Sequence, residues 1–326
     1  MILRDTLTDS LWNARGESFA APCEGVTLTK LPSHNAFWFS WSISREGHPV
    51  WNRDEANSAG AIQADAAGDC LVPCNEIRSG GPPPDGIPAL DVDGRWNRPT
   101  AAVMVAPEDP SAEYVRDDDL VLGLAIDGEA QAFPHSILWW HEIQVARVGG
   151  REVNVTFCPL TGSGMIIDGV QGGEPWYAYV SGRLFSSNLT MFERDIEDPI
   201  FWNQMLLQGV SGPRAGEQLE ILPVTETTWA RWLEMYPQTT VTSDETGYSR
   251  NYQSYPYGDY RSDDADTFAG TNPQPVDTYE NKDMVLSVQG SNISKAYAFD
   301  EMETFGQRVA VNDDFDGTPH GDLLGR

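Results

Sequence analysis

Three side chains that can move protons, attack electrophiles or bind metals lie close together in the sequence: His141, Glu142 and Cys158. A thiolate is a nucleophile and a ligand for soft metals such as copper, and a nearby imidazole can act as its base or as a second ligand. A carboxylate can orient that imidazole. We therefore predict a site that uses Cys158, His141 and Glu142 for thiol-dependent catalysis, or Cys158 and His141 as ligands of a soft transition metal.

Five further residues are candidates for binding. His135 precedes His141 on the predicted helix, and we expect it to be exposed near the helix start. Thr161 and Ser163 belong to the T-G-S-G bend after the thiol, where backbone N–H groups can face a ligand. Glu76 and Asp85 belong to a Gly- and Pro-rich loop that could close over a ligand.

Each main candidate also has a purely structural interpretation. A histidine on an apolar helix face is often a hydrogen-bonded core residue, and a cysteine at a strand end is often a small buried hydrophobe. Glu142 would lie near the C-terminus of a helix, where the helix dipole disfavours an anion, so we expect it to have a partner. A thiol beside His141 would favour the enzyme or metal hypothesis, whereas an isolated buried thiol would favour a non-catalytic module.

The surrounding pattern predicts the elements that position these residues. An apolar run at Leu120–Ile126 ends in Asp-Gly, a hairpin signal. Pro134 suits the first position of a helix on which His141 shares the apolar face. A Gly-Gly pair then turns the chain into V-N-V-T-F-C, whose alternation predicts a strand that ends at Cys158.

Five segments resemble an uncharacterised prokaryotic family, domain of unknown function 3179. Two form its core: A-F-P-x-x-I-L-x-x-H-E-I from Ala132 and F-C-P-L-T-G-S from Phe157. The others are E-I-R-S-G-G-P-P-P-D-G-I-P from Glu76, V-S-G-R-L-F-S-S-N-L from Val180 and W-x-x-W-x-x-x-Y-P from Trp229. The resemblance implies no activity. The family usually continues H-E-I-V-N-D, whereas Gln and Val follow H-E-I here.

An internal repeat links the N-terminal segment to the middle of the chain. Met1, Arg4, Asp5, Trp12 and Asn13 match residues 190 positions later, from Met191 to Asn203. After one inserted residue, seven more identities follow at an offset of 191: Pro22, Gly25, Leu28, Leu31, Pro32, Trp38 and Trp41 match Pro213, Gly216, Leu219, Leu222, Pro223, Trp229 and Trp232. Twelve ordered identities, many of them Trp, Pro or Gly, predict an internal duplication.

The second copy is split between the two ends of the chain. M-V-L-S-V from Met284 matches L-V-L-G-L from Leu120 at an offset of 164. In the family the Trp-rich element comes late in the chain, so we predict a circular permutation. The predicted parts of one compact unit are a trailing part of repeat 2 at 1–51, an ordered arm at 52–116, repeat 1 at 117–241, a connecting segment at 242–282 and the leading part of repeat 2 at 283–326.

The fold class that follows is α+β, mainly antiparallel strands with short helices, duplicated about a pseudo-two-fold axis. Only repeat 1 carries the chemistry: His135 corresponds to Phe299, His141 to Arg308 and Glu142 to Val309, and the Cys158 strand has no counterpart. A duplication leaves a cleft between its halves. The alternative function is therefore a non-catalytic module that binds a small ligand or a protein in that cleft, with Glu76 and Asp85 closing over it.

Composition limits the partners. The net charge of -28, with 49 acidic and 21 basic residues and only three lysines, suggests adaptation to high salt and disfavours nucleic acid or anionic lipid as a partner. No apolar stretch is long enough to span a membrane. The N-terminus lacks a secretion signal, so we expect a cytoplasmic protein, with an exported one that has lost its leader as the alternative. Cys70 and Cys74 could be paired, free or metal-bound, although C-x-x-x-C is not a zinc-knuckle spacing.

Overall fold

The computed structural model describes residues 2–4, 10–20, 23–51, 62, 64, 69–91, 102–193, 200–263, 267–268, 270–271, 274–290 and 293–304, with 2–4 described by their backbone alone. Most of 52–68 and all of 92–101, within the predicted arm, lie outside these residues. The end of the predicted second copy, including Arg308 and Val309, also lies outside them.

Short strands make up most of the described secondary structure. In chain order they are β1 (Ile2–Arg4), β2 (Leu11–Asn13), β3 (Ser33–Phe37), β4 (Arg78–Ser79), β5 (Leu90–Asp91), β6 (Met104–Val105), β7 (Leu120–Ile126), β8 (Glu129–Pro134), β9 (Ile143–Val148), β10 (Arg151–Cys158), β11 (Ser163–Asp168), β12 (Val170–Gln171), β13 (Glu174–Pro175), β14 (Tyr179–Phe185), β15 (Asn188–Phe192), β16 (Phe201–Asn203), β17 (Gln208–Ser211), β18 (Ile221–Leu222), β19 (Thr225–Thr228), β20 (Thr240–Thr242), β21 (Met284–Gln289) and β22 (Ser294–Ala298).

The helices of the described part are short. They are α1 (Trp38–Ser44), α2 (His135–His141), α3 (Trp229–Met235) and α4 (Phe299–Glu303), with single 3-10 turns at Cys74–Glu76, Pro110–Ala112 and Tyr260–Ser262. Each α-helix begins directly after a strand. Pro134 is the last residue of β8 rather than the first of the helix, because its ψ of 136° keeps it extended and paired with Val121. No helix in the described ranges is long and apolar enough to cross a membrane.

Four larger sheets and two hairpins contain these strands. The sheet orders are β18-β11-β10-β9-β5, β17-β16-β15-β14-β4, β19-β7-β8-β20-β6 and β22-β21-β3. Two of the pairings between these strands are parallel, β5 with β9 and β20 with β8; the others are antiparallel. The predicted α+β class with mainly antiparallel strands is therefore confirmed.

The first unit, as we define it here, consists of β7, β8 and β19 with helices α2 and α3. Asp127 and Gly128 close its hairpin with φ values of 49° and 85°, the left-handed geometry of a tight β-turn. In this hairpin Val121 lies opposite Pro134, and on the other side Leu120 lies opposite Thr228. Helix α3 then starts at Trp229, whose N–H donates to Asp119 O at 2.8 Å.

The second unit consists of β21, β22 and β3 with helices α4 and α1. Here Val285 lies opposite Ala298, and Met284 lies opposite Phe37. Helix α1 starts at Trp38, whose N–H donates to Asp283 O at 2.8 Å. These pairs have the register of the first unit, shifted by the same offsets of 164 and 191 that relate the two sequences. Strands from the two ends of the chain thus form one sheet.

Backbone hydrogen bonds outside the sheets repeat at the same offset of 191. The described examples are Ser18 N to Val26 O and Gly209 N to Glu217 O, Leu28 N to Gly16 O and Leu219 N to Leu207 O, and Arg45 N to Trp41 O and Tyr236 N to Trp232 O. Strands β3 and β19 meet where the two units join, because Glu226 of β19 accepts hydrogen bonds from the side chain and backbone of Asn35.

Candidate functional site

The end of β10 places Cys158 in the interior. The residue is 1% exposed, and its Sγ accepts a hydrogen bond from Leu189 N at 3.3 Å and lies 3.7 Å from Ser187 O. Burial and then the charge of Glu142 raise the pKa of the thiol to about 11, against hydrogen bonds that lower it. At neutral pH Cys158 is therefore a neutral thiol, which is a poor nucleophile and a poor metal ligand.

His141 faces inward from the last turn of α2, as predicted, and both of its ring nitrogens are occupied. Its Nδ1 lies 2.7 Å from Pro88 O, and its Nε2 lies 2.7 Å from the hydroxyl of Tyr252. A carbonyl oxygen only accepts, so Nδ1 carries the proton and Nε2 accepts from Tyr252. Burial lowers the pKa of His141 to about 4. No hydrogen bond joins Cys158 to His141 or His135 among the described residues.

The side chain of Glu142 makes no hydrogen bond or ion pair to the residues that the structure describes, although we expected it to have a partner. Glu142 directly follows α2, near the C-terminus of the helix as expected. It adopts a φ of 57° and a ψ of −33°, which non-glycine residues rarely do. Its N–H donates to Leu138 O at 2.8 Å, and its carbonyl accepts from Phe157 N at 2.7 Å. These two hydrogen bonds hold the backbone in that conformation.

Glu142 is 6% exposed as a residue, so its carboxyl group keeps only slight contact with solvent. It makes no hydrogen bond to any residue in the described ranges, and burial raises its pKa to about 8. Its negative charge would raise the pKa of both Cys158 and Tyr257, so these three groups lie within electrostatic reach of one another. Glu142 is thus a carboxylic acid at neutral pH with an unused donor.

Thr161 and Ser163 lie inside the protein rather than facing a ligand. Their hydroxyls are 2.8 Å apart, and Ser163 Oγ donates to Gln204 Oε1 at 2.9 Å. Asn188 Nδ2 donates to Thr161 Oγ1 at 2.9 Å and to Gln204 Oε1 at 3.0 Å. All of these residues are at most 1% exposed. The network ties the bend after Cys158 to β15 and has no unpaired donor for a ligand.

His135 is buried, with 5% exposure, where we had expected an exposed residue. Its ring packs 4.4 Å from that of Phe157, and its Nε2 lies 3.6 Å from Glu226 Oε1 without a hydrogen bond. Burial lowers the pKa of His135 to about 3 and raises that of Glu226 to about 7. The sequence misses this burial because it depends on strands β10 and β19, which are distant along the chain.

The Gly- and Pro-rich arm runs along β14. Glu76 pairs with Arg78, and Asp85 N donates to Val180 O at 2.9 Å. Gly182, with a φ of 71°, permits this approach, because a Cβ there would lie 2.1 Å from Pro82 O. The arm then reaches His141 through Pro88. Four of the segments that carry the family resemblance are therefore connected by hydrogen bonds around Cys158 and Glu142.

The connecting segment contributes aromatic residues that we did not assign to the site. Tyr255 donates to Pro159 O at 3.0 Å, and Tyr260 donates to Leu160 O at 3.0 Å. The ring of Tyr257 packs against that of Tyr255 at a tilt of 54°, with centroids 5.6 Å apart, and a charge on Glu142 would raise the pKa of Tyr257. The signal in the sequence was the tyrosine-rich run itself, but its position over the thiol depends on the path of the chain.

The cysteine and metal predictions have different outcomes. Cys70 and Cys74 form a disulfide, which selects the paired state among the three alternatives and excludes a zinc site on these thiols. The described residues contain no group of three or more His, Cys, Asp or Glu side chains placed to hold a metal ion.

The fold and the site define a mainly antiparallel α+β protein in which the buried residues Glu142 and Cys158 lie near the half-buried phenol of Tyr257. Residues 84–321 match the family model described as "Protein of unknown function (DUF3179)". The match spans more than half of the chain, so the chain belongs to this family, as the resemblance predicts. No curated protein and no solved structure matches the chain.

Proposed function

We propose that the chain binds a small organic molecule beside Glu142, and that the protonated carboxyl group donates a hydrogen bond or a proton to an acceptor oxygen of that molecule. The observation that carries the proposal is the carboxyl of Glu142, a residue that is 6% exposed and has a positive φ, and whose side chain makes no hydrogen bond to the described residues. A buried polar group without a partner costs free energy, and strained backbones occur at functional sites more than elsewhere.

Hydrogen bonds hold the neighbours of Glu142 in fixed positions, which would allow them to orient a ligand beside the carboxyl group. His141 is fixed by Pro88 and Tyr252, and Cys158 is fixed by Leu189. A carboxylic acid kept neutral near pH 7 is a general acid or a hydrogen-bond donor, and it favours a neutral ligand over an anion. Tyr257 and the neutral thiol would then form walls of the site. A thiol-dependent reaction or a soft-metal site at Cys158 has less support, because the thiol is buried with a raised pKa.

The proposal is tested with Glu142→Gln, which keeps the shape and removes the titrating proton. Melting temperatures at pH 7 are measured against a panel of small ketones, amides and lactones, with Glu234→Gln on the exposed face of α3 as the matched control. We expect ligands that stabilise the wild type and the control but lose at least half of their effect in Glu142→Gln. Equal stabilisation of all three proteins would contradict the proposal, as would a panel with no ligand.

A pH titration without ligand tests the same carboxyl. The pKa of Glu142 is raised in the folded protein, so the unfolded chain loses this proton first as the pH rises, and stability is lost between about pH 4.5 and pH 8. Glu142→Gln removes this contribution, so chemical denaturation should show a flatter decline across that window. An unchanged pH profile would show that Glu142 is ionised like an exposed carboxylate.

We also propose that the two units are copies of one ancestral unit, and that the second copy is circularly permuted. The shared register at constant offsets supports this proposal.

We propose further that the protein matures in an oxidising compartment, contrary to our expectation of a cytoplasmic protein. Its support is the Cys70–Cys74 disulfide, because such bonds rarely persist in a reducing cytosol.

A further inference from the structure

A cavity of about 340 Å³ lies between the N-terminal segment and the first unit. One side is formed by Thr29 and Lys30, from the segment predicted to complete the second copy, and the other by β7, β19 and α3. The volume is at the lower end of the range for small-molecule sites. This cavity is separate from Glu142, which does not line it, and the inference does not rest on the function proposed above.

The charge of the cavity lining is opposite to that of the protein. Lys30 and Arg151 contribute to the lining, and no carboxylate does, although the chain as a whole carries a net charge of -28. The ammonium group of Lys30 donates to the hydroxyl of Thr225. Arg151 pairs with Asp168 behind the cavity, which holds its guanidinium in place. Lys30 is therefore the cation whose charge has no carboxylate partner among the described contacts.

The floor of the cavity is apolar and aromatic. Trp232 and Tyr236 lie with their ring centroids 4.3 Å apart, and Leu124 and Leu222 complete the surface. Gly123 allows the indole to lie directly on β7, because a Cβ at this position would be 2.3 Å from the Trp232 ring. The indole itself is 1% exposed and supports the floor from below. The half-buried Tyr236 and Leu222 therefore give a flat apolar group its contact surface, with Lys30 within reach of a charged group.

We propose that this cavity binds a small aryl or short acyl carboxylate, with its apolar part on Tyr236 and Leu222 and its carboxylate on Lys30. The amine and the Thr225 hydroxyl provide two donors for the carboxylate oxygens, and charge-assisted hydrogen bonds of this kind are the stronger ones. An anion that meets a net negative surface needs such a local cation, because the remaining charge disfavours its approach.

The experiment uses 2-naphthoate and its neutral analogue 2-naphthamide as probes, with binding measured by ligand-observed NMR and by quenching of tryptophan fluorescence. We expect the full-length protein to bind the naphthoate more tightly than the amide. Lys30→Gln should weaken naphthoate binding about tenfold, the loss of one charge-assisted contact, and leave the amide unchanged. Lys295→Gln, which removes another lysine on β22, is the matched control and should bind as the wild type does.

Two further measurements locate the site. Thr29→Trp fills the cavity from its exposed rim and should abolish binding of both probes with an unchanged melting temperature. Nearby protein atoms displace water from the ammonium group and lower the pKa of Lys30 to about 8, although the residue as a whole is exposed. Lys30 therefore loses its charge as the pH rises from 7 to 9, and naphthoate binding should weaken over that range. The proposal is overturned if the naphthoate does not bind, if Lys30→Gln and Lys295→Gln bind it equally, or if Thr29→Trp leaves binding intact.

Discussion

The two three-stranded units share one backbone arrangement but differ in the side chains that it carries. In both, a hairpin pairs with a strand that leads into a seven-residue helix, and the helix begins at a tryptophan, Trp229 in one and Trp38 in the other. Both tryptophans donate their N–H to the residue before the hairpin strand. The side chains on this frame differ: the candidate histidines, His135 and His141, lie on α2 of the first unit. Hydrogen bonding and aromatic burial thus set the frame, while the polar side chains on it differ between the units.

The tryptophan of the last helical turn makes this contrast concrete. In the second unit Trp41 Nε1 donates to Ser287 Oγ at 3.0 Å. In the first unit Gly123 stands where the second has Ser287, and Trp232 lies on the bare backbone and donates to Thr239 Oγ1 at 2.9 Å. One small substitution changes how the same ring is held. It also brings the buried indole against Tyr236, which lines the proposed anion site.

Deleting residues 1–41 should have the largest effect, because it removes β3 and the fully buried Trp38 and Trp41. Loss of a buried tryptophan costs about 3–5 kcal/mol, so the two together approach the whole stability of a typical protein. We expect the second unit to lose its fold, with early cleavage after Met284 in limited proteolysis. Cooperative melting at the wild-type temperature would contradict the assignment of this segment to the second unit.

Trp41→Ala is a single-site version of that deletion, and Trp232→Ala is the matching substitution in the first unit. The two residues occupy equivalent positions at 0% and 1% exposure. If the units share one frame, the two substitutions should lower the free energy of unfolding by similar amounts, about 3–5 kcal/mol each. A large loss of unfolding free energy for one variant and none for the other would contradict a shared frame.

Exchanging the small residues under the two indoles should have an intermediate effect. Gly123→Ser places a Cβ 2.3 Å from the ring of Trp232, so we expect a loss of about 3 kcal/mol from overpacking. Ser287→Gly leaves the Trp41 N–H unpaired, which costs about 1–3 kcal/mol. Urea denaturation measures both.

Gly123→Ala is the control for the exchange, because it introduces the Cβ without the hydroxyl. It should be as destabilising as Gly123→Ser if the clash is the cause. Equal stability of Gly123→Ser and the wild type would mean that Trp232 can adopt the arrangement of Trp41 at no cost.

Much of the fold could be predicted from the sequence because its signals are local. The Asp127-Gly128 turn, the strand that ends at Cys158 and the antiparallel class follow from turn chemistry and alternation. The state of the candidate side chains could not be predicted in this way. Whether His141 is free depends on Pro88 and Tyr252, which lie 53 and 111 residues away in the chain. Such partners are fixed only by tertiary packing.

Replacing His135 with the residue of the second unit should have the smallest effect. His135→Phe introduces the counterpart of Phe299 at a buried position where Nε2 has no hydrogen bond. At pH 7.5 we therefore expect the free energy of unfolding to change by less than about 1.5 kcal/mol.

The pKa of His135 is lowered to about 3, so the unfolded chain takes up this proton as the pH falls below about 6.5, whereas the folded chain does not. The wild type therefore loses stability at pH 5 through this residue, and His135→Phe should be the more stable protein there. His141→Phe is the control: it removes the hydrogen bonds of His141 to Pro88 O and to the Tyr252 hydroxyl and should destabilise at both pH values. Urea denaturation at pH 7.5 and pH 5 decides the matter, and a large loss for His135→Phe at both would mean that the first unit requires this imidazole for more than packing.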